Sequence, residues 1–251
     1  MSFDRPLCVL LPAFILLSCS IKEDRASCPC LLSLELNDLP VSPVVLDITG
    51  EGYAHTEIVH ADTVLVFPVP KENLAVSAVG GALAEGDGRV RIPVGEEAPP
   101  LYLFYADVPA HAEQLSVPVQ LRKQFCILEL VFSGPPGYGP PFEVEVEGDV
   151  EGWLRDGGPA PGAFTHRIRP GDDGKAVIRL PRQGDESLRM HIVFADRTVR
   201  TFALGSYMAA AGYDWTAPEL GDLTLHVDIA VTSVTLSTDL WSQTEETDVW
   251  I

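Results

Sequence analysis

Proline or glycine interrupts this sequence every few residues, and the stretches between them alternate apolar and polar side chains. Of 251 residues, 21 are Gly and 21 are Pro, a density that suits many strands joined by turns and leaves little room for long helices. The two-residue period is plainest in Phe142-Glu-Val-Glu-Val-Glu147. There Phe142, Val144 and Val146 share one face while Glu143, Glu145 and Glu147 share the other, as a half-buried strand requires. Three aligned carboxylates read as a solvated face whose repulsion discourages edge pairing. An acid–base or calcium site would need a complementary ligand, and the sequence brings none near.

The same pattern predicts strands over 31–36, 44–49, 63–67, 74–79, 90–94, 101–105, 116–121 and 125–132, then over 142–147, 176–180, 188–194, 199–202, 223–229 and 234–237. Short helix competes with strand only at 71–79 and 207–212, and neither is long enough to organise a helical domain. Gly134 to Pro141, Asp156 to Gly162 and Pro170 to Gly174 read as loops, since proline lacks a ladder donor. Tyr138, at the centre of the first loop, is a candidate partner contact. The fold class is therefore all-β, with a division near Pro109 to Gln114 into two tandem β-sandwich domains, 28–112 and 113–251. The first is small and needs the second domain or a disulfide for support.

At the N-terminus, Arg5 precedes an apolar run ending at Leu17 that is too short to cross a bilayer as a helix. Leu16-Leu17-Ser18-Cys19 resembles a bacterial lipobox, which makes 1–18 a lipoprotein signal peptide, Cys19 the acylation site and 19–27 a tether. Each buried methylene contributes about 0.8 kcal/mol, so two or three acyl chains on Cys19 hold stably to lipid where one would not. The charged Ser20 to Arg25 segment resembles the signal that sends lipoproteins of the Bacteroidetes to the cell exterior. The expected location is the outer membrane, lipid-anchored and facing outward.

The formal charge is −19, and losing Asp4 and Arg5 with the signal leaves it unchanged. Nucleic acid is thereby excluded as a partner, because binding it depends on neutralising phosphates with Lys and Arg. Cys28, Cys30 and Cys126 remain as candidates for a disulfide, with Cys126 bridging to Cys28 or Cys30 or else buried as a small hydrophobe. The Cys28-Pro-Cys30 spacing fits neither a thioredoxin motif nor a zinc knuckle. Dinucleotide and nucleotide fingerprints, HExxH, GxSxG and EF-hand loops are all missing, and the six histidines are scattered. The reading is a protein without catalysis, metal or cofactor. Tyr213-Asp-Trp215 is either an interface or sugar-stacking patch or a piece of core. Trp250-Ile251 either closes the last strand or meets a partner.

The order of a lipobox, Lys22-Glu-Asp24, Cys28-Pro29, a small β domain, and Leu121-Arg122 leading into a second β domain resembles the FimB/Mfa2 family of Bacteroidales fimbrial anchor lipoproteins. Phe202-Ala-Leu-Gly205, Gly212-Tyr-Asp-Trp215, Leu223-Thr-Leu-His-Val-Asp228 and a late strand reaching Trp241 extend the resemblance over nearly all of the exported chain. It departs from the family in its short first domain, its Pro/Gly segment at 134–141 and its acidic tail. The resemblance implies transthyretin-like sandwiches, anchoring to outer-membrane lipid through Cys19, and fimbrial subunits as partners, received through an added or exchanged strand. The competing reading is a surface lipoprotein that binds host glycans or glycoproteins, with Tyr or Trp stacking on sugar.

Overall fold

The computed structural model describes residues 28–82, 88–134, 142–229, 233–238 and 241–242. Cys19, Tyr138 and Trp250 lie outside these. The first half contains β1 (Cys30–Leu36), β2 (Val44–Thr49), β3 (Ala54–Val59), β4 (Thr63–Val69), β5 (Asn73–Gly80), β6 (Val90–Arg91), β7 (Tyr102–Pro109), β8 (Gln114–Val119) and β9 (Arg122–Lys123). The second contains β10 (Phe125–Ser133), β11 (Phe142–Trp153), β12 (Pro159–Ile168), β13 (Lys175–Pro181), β14 (Arg189–Phe194), β15 (Val199–Phe202), the short helix α1 (Leu204–Ala210), β16 (Leu223–Asp228), β17 (Ser233–Thr238) and β18 (Trp241–Ser242). The structure is thus almost entirely β, and the 71–79 region is strand while 207–210 is helix.

Two sheets sandwich each core. In the first unit, a three-stranded sheet ordered β4-β1-β8 faces a five-stranded sheet ordered β3-β2-β5-β7-β9. Alternation explains the packing: Cys30, Leu32, Leu34 and Leu36 of β1 are wholly buried against Leu46, Ile48 and Val76 of the facing sheet. In the second unit, β13-β10-β16-β17-β18 faces β12-β11-β14-β15. Leu128, Leu130, Val144, Val146 and Trp153 fill that core without exposure.

The two units share one wiring. β1 pairs antiparallel with β4 and parallel with β8, and β10 pairs antiparallel with β13 and parallel with β16 in the same way. The facing sheets repeat as β3-β2-β5-β7 and β12-β11-β14-β15. The correspondence ends at the sheet edge, where β16 is covered by β17 while β8 has no further neighbour among the described residues.

The expected boundary is displaced. Residues 114–119 do not open the second sandwich: β8 pairs in register with β1, Leu32 opposite Leu115 and Leu34 opposite Val117, so the first sandwich runs to about residue 123. Conversely, the connection between β5 and β7 leaves the first sandwich and straps the second. β6 pairs with Gly152 and Trp153 of β11, Gly95 bridges His166, and the Ala98 N–H donates to the Arg179 carbonyl at 3.1 Å. Val79, Leu101 and Leu103 then join the second core from the first unit. A small domain that buries a modest fraction of its own surface gains support this way.

The three carboxylates of β11 are on the wet face, as the alternation predicts, but β11 lies between β12 and β14 and is not an edge. Their repulsion is relieved by cations on the neighbouring strands and the turn after β12. Glu143 accepts from Arg169 Nε at 2.8 Å, Glu145 pairs with Arg167, and Glu147 lies 3.6 Å from Arg189.

Candidate functional site

The missing neighbour of β8 leaves one flank of the first sandwich open. On β8, Leu115 and Val117 point inward, opposite Leu32 and Leu34 of β1, yet both stay partly exposed. Across from them, Phe104 and Ala106 of β7 also point inward, opposite Ala78 and Val76 of β5, and are likewise partly exposed. All four pack against the first core without being sealed by it. β9 covers only Tyr102 and Leu103 of β7, so from Phe104 onward that strand has no second neighbour among the described residues. An apolar seam therefore lies between two main-chain edges that no strand pairs among the described residues, the arrangement that accepts an added strand.

The opposite flank differs. Inward-facing His55 and Glu57 of β3 stand beside Phe67 of β4, the His55 and Phe67 rings 4.8 Å apart and His55 Nε2 3.5 Å from Glu57. A polar pair closes what is an apolar opening on the β7/β8 side. Val64 and Val66 are exposed on β4, more than half their surface in each case, but they lie on the outer face of the sheet and line no seam.

At its end nearest the second sandwich the seam opens into a cleft of about 360 Å³, lined by Phe104, Tyr105, Pro118, Gln120, Arg122, Asp156 and Arg182 among others. Tyr105 donates its hydroxyl to Asp107 at 2.8 Å, which raises its pKa. Arg182 is held in place: it donates to the Ala217 carbonyl at 2.8 Å, the Lys123 carbonyl at 2.8 Å, the Pro218 carbonyl at 3.4 Å, Gln124 Oε1 at 3.1 Å and the Trp215 carbonyl. Burial pulls its pKa below the usual guanidinium value. Arg122 is exposed and has no side-chain partner among the described residues. Asp156 accepts from the Gly158 N–H at 3.0 Å.

The residues singled out from sequence are elsewhere. Trp215 is a core residue, not a stacking platform: it is 9% exposed and packs edge-on against Tyr213 at 4.8 Å. Tyr213 itself is tied down, its hydroxyl donating to the Gly221 carbonyl at 2.9 Å. Cys30 and Cys126 are buried in different cores, Cys28 is exposed, and all three are free thiols, so Cys126 bridges neither of the others. Burial pushes the Cys126 pKa up to about 12. Among the described residues no group of three or more His, Cys, Asp or Glu is placed to hold a metal ion, and no helix is long and apolar enough to cross a membrane. The seam residues carried one overlooked signal. Gln114-Leu-Ser-Val-Pro-Val119 alternates, and a proline inside an alternating run marks an edge strand.

No family model and no curated protein matches this chain. Solved structures do. A candidate adhesin from Bacteroides thetaiotaomicron is 16% identical, with a TM-score of 0.60 over 89% of this chain and 100% of its own. A candidate polysaccharide-binding protein from the same organism is 11% identical, with a TM-score of 0.61 over 88% and 99%. The fimbrial anchor protein Mfa2 from Porphyromonas gingivalis is 12% identical, with a TM-score of 0.57 over 87% and 100%. At these identities the likeness establishes a shared fold spanning both sandwiches.

Proposed function

We propose that this chain is an outer-membrane lipoprotein, acylated at Cys19 and facing the cell exterior, that anchors or helps assemble a fimbrium without catalysis. Its two sandwiches are read as transthyretin-like. The open β7/β8 flank of the first receives a neighbouring fimbrial subunit, whose main chain pairs with β8 and whose apolar side chains cover Phe104, Ala106, Leu115 and Val117. The observation that carries this reading is that, among the described residues, β8 lacks the neighbour that β17 supplies to β16. The fold shared with a fimbrial anchor protein supports it.

Val117→Lys tests it. The position is partly exposed, so a lysine reaches water while its charge sits in the seam. Cells carrying the variant should display few or no fimbriae at an unchanged level of the lipoprotein, whereas Val66→Lys, on the outer face of β4, should display them normally. Normal fimbriation with Val117→Lys would overturn the proposal.

A further inference from the structure

We infer that the strand received at β8 runs antiparallel to it, spans about six residues, and begins with an acidic residue that pairs with Arg122. This rests on the reading of β8 as the receiving edge and adds direction, length and charge to it. The direction follows from the repeated wiring. β8 and β16 occupy the same place, each six residues long and each parallel to the first strand of its sandwich. The neighbour of β16 is antiparallel over six pairs, from Leu223 opposite Thr238 to Asp228 opposite Ser233. A strand seated likewise on β8 ends beside Gln114 and starts beside Val119, where the seam meets the cleft at the junction of the two sandwiches.

The charge follows from the cleft. Arg122 is the cation there with donors to spare, because Arg182 spends its own on four carbonyls and the Gln124 amide. The two guanidinium groups also repel, Arg122 being one of the causes that lower the Arg182 pKa. In a chain of net charge −19, the cleft lining carries two guanidinium groups against one carboxylate, Asp156, and the carboxylates of Glu219 and Asp214 act on Arg182, so Arg122 is the cation left to face the start of the incoming strand. A carboxylate at that point gains a charge-assisted hydrogen bond. A lysine there meets repulsion, which discriminates between partners and fixes register along an otherwise repetitive apolar seam. Pro118, which offers no N–H, weakens pairing beside the cleft and increases the share of recognition that falls to the side chains.

The test uses the full exported chain in detergent, with Cys28→Ser to remove the exposed thiol, and the acetylated, amidated peptide Glu-Val-Thr-Val-Thr-Val carrying a fluorophore. Anisotropy should show this peptide binding about tenfold or more tighter than its Lys-first counterpart, and Arg122→Glu should reverse the order. Equal affinity for the two peptides would overturn the charge assignment. For direction, Gln114→Cys is paired with peptides carrying a cysteine at either end. Trapping of the C-terminal cysteine is expected. Preferential trapping of the N-terminal cysteine overturns the antiparallel sense while leaving β8 as the docking edge. No trapping of either, by a chain that still melts cooperatively, overturns the edge itself.

Discussion

Replacing the half-buried Arg182 with alanine should loosen the junction between the sandwiches. The guanidinium joins the Gln124 amide and the Lys123 carbonyl, where the chain passes from one sandwich to the next, to the carbonyls of Trp215, Ala217 and Pro218. A hydrogen bond to a charged group contributes about 1.5–3 kcal/mol, and unsatisfied buried acceptors cost a further ~1–3 kcal/mol. Water reaches this half-buried site and restores part of that, so the net loss should be about 3–4 kcal/mol. Against a typical total of ~5–15 kcal/mol, with ~2–4 °C per kcal/mol in domains of this size, the midpoint should fall by about 10 °C. Thermal and urea denaturation followed by circular dichroism measure this directly. Arg182→Lys is the informative comparison: an ammonium keeps the charge but cannot span the planar fork of acceptors, so it should recover less than half of the loss. A loss under about 1 kcal/mol for Arg182→Ala, or full recovery by lysine, would show that the clamp is not what orders the 215–218 loop.

Other consequences are as specific. Trp215→Ala should cost about 3–5 kcal/mol in denaturant titrations, as core truncations of large aromatics do; a surface contact residue would leave stability unchanged. Gly205→Ala should destabilise by about 1–3 kcal/mol in the same titrations, because a Cβ there would collide with the Glu186 backbone. In native protein, a maleimide should label Cys28 quickly and leave Cys126 intact until unfolding, since the thiolate is the reactive form and burial holds the Cys126 pKa near 12; fast native labelling of Cys126 would contradict its burial. Asp185, Asp196 and Asp214 each have a lowered pKa, chiefly from the hydroxyls of Ser187, Thr198 and Thr216. Their stabilisation is fully present above the ordinary Asp value of ~3.9 and is lost as pH falls through the lower folded values. Melting midpoints should therefore hold level down to about pH 5 and drop below about pH 4, and a decline starting near pH 6 would contradict this.

Local periodicity made most of the strands legible, because alternation is a property of consecutive residues. The exceptions have local reasons. β3 is exposed at four of its six positions, apolar Ala54 and Ile58 among them, and carries no apolar period. β12 contains Pro159, Pro161 and Gly162, which read as a loop, but it is an edge strand opposite bulges in β11, where missing donors are tolerated. What pattern alone could not supply was partnership. Nothing in Gln114 to Val119 says that it lies parallel to β1, Gln114 opposite Leu31, and so the local pattern puts the domain boundary before β8. The open seam is hidden for the same reason, since Phe104 and Pro118 come to line one cleft only once two sheets have closed. Aromatic residues point the other way, as Trp215 serves the core while the open edge is lined by Leu115, Val117, Ala106 and one aromatic, Phe104.

If the β7/β8 flank holds a fimbrial subunit, as proposed, a photo-reactive amino acid at position 117 in living cells tests it most directly. Irradiation should join the lipoprotein to a fimbrial subunit from position 117 and not from position 66 on the outer face of β4. Equal capture from both positions, or capture from 66 alone, would contradict it.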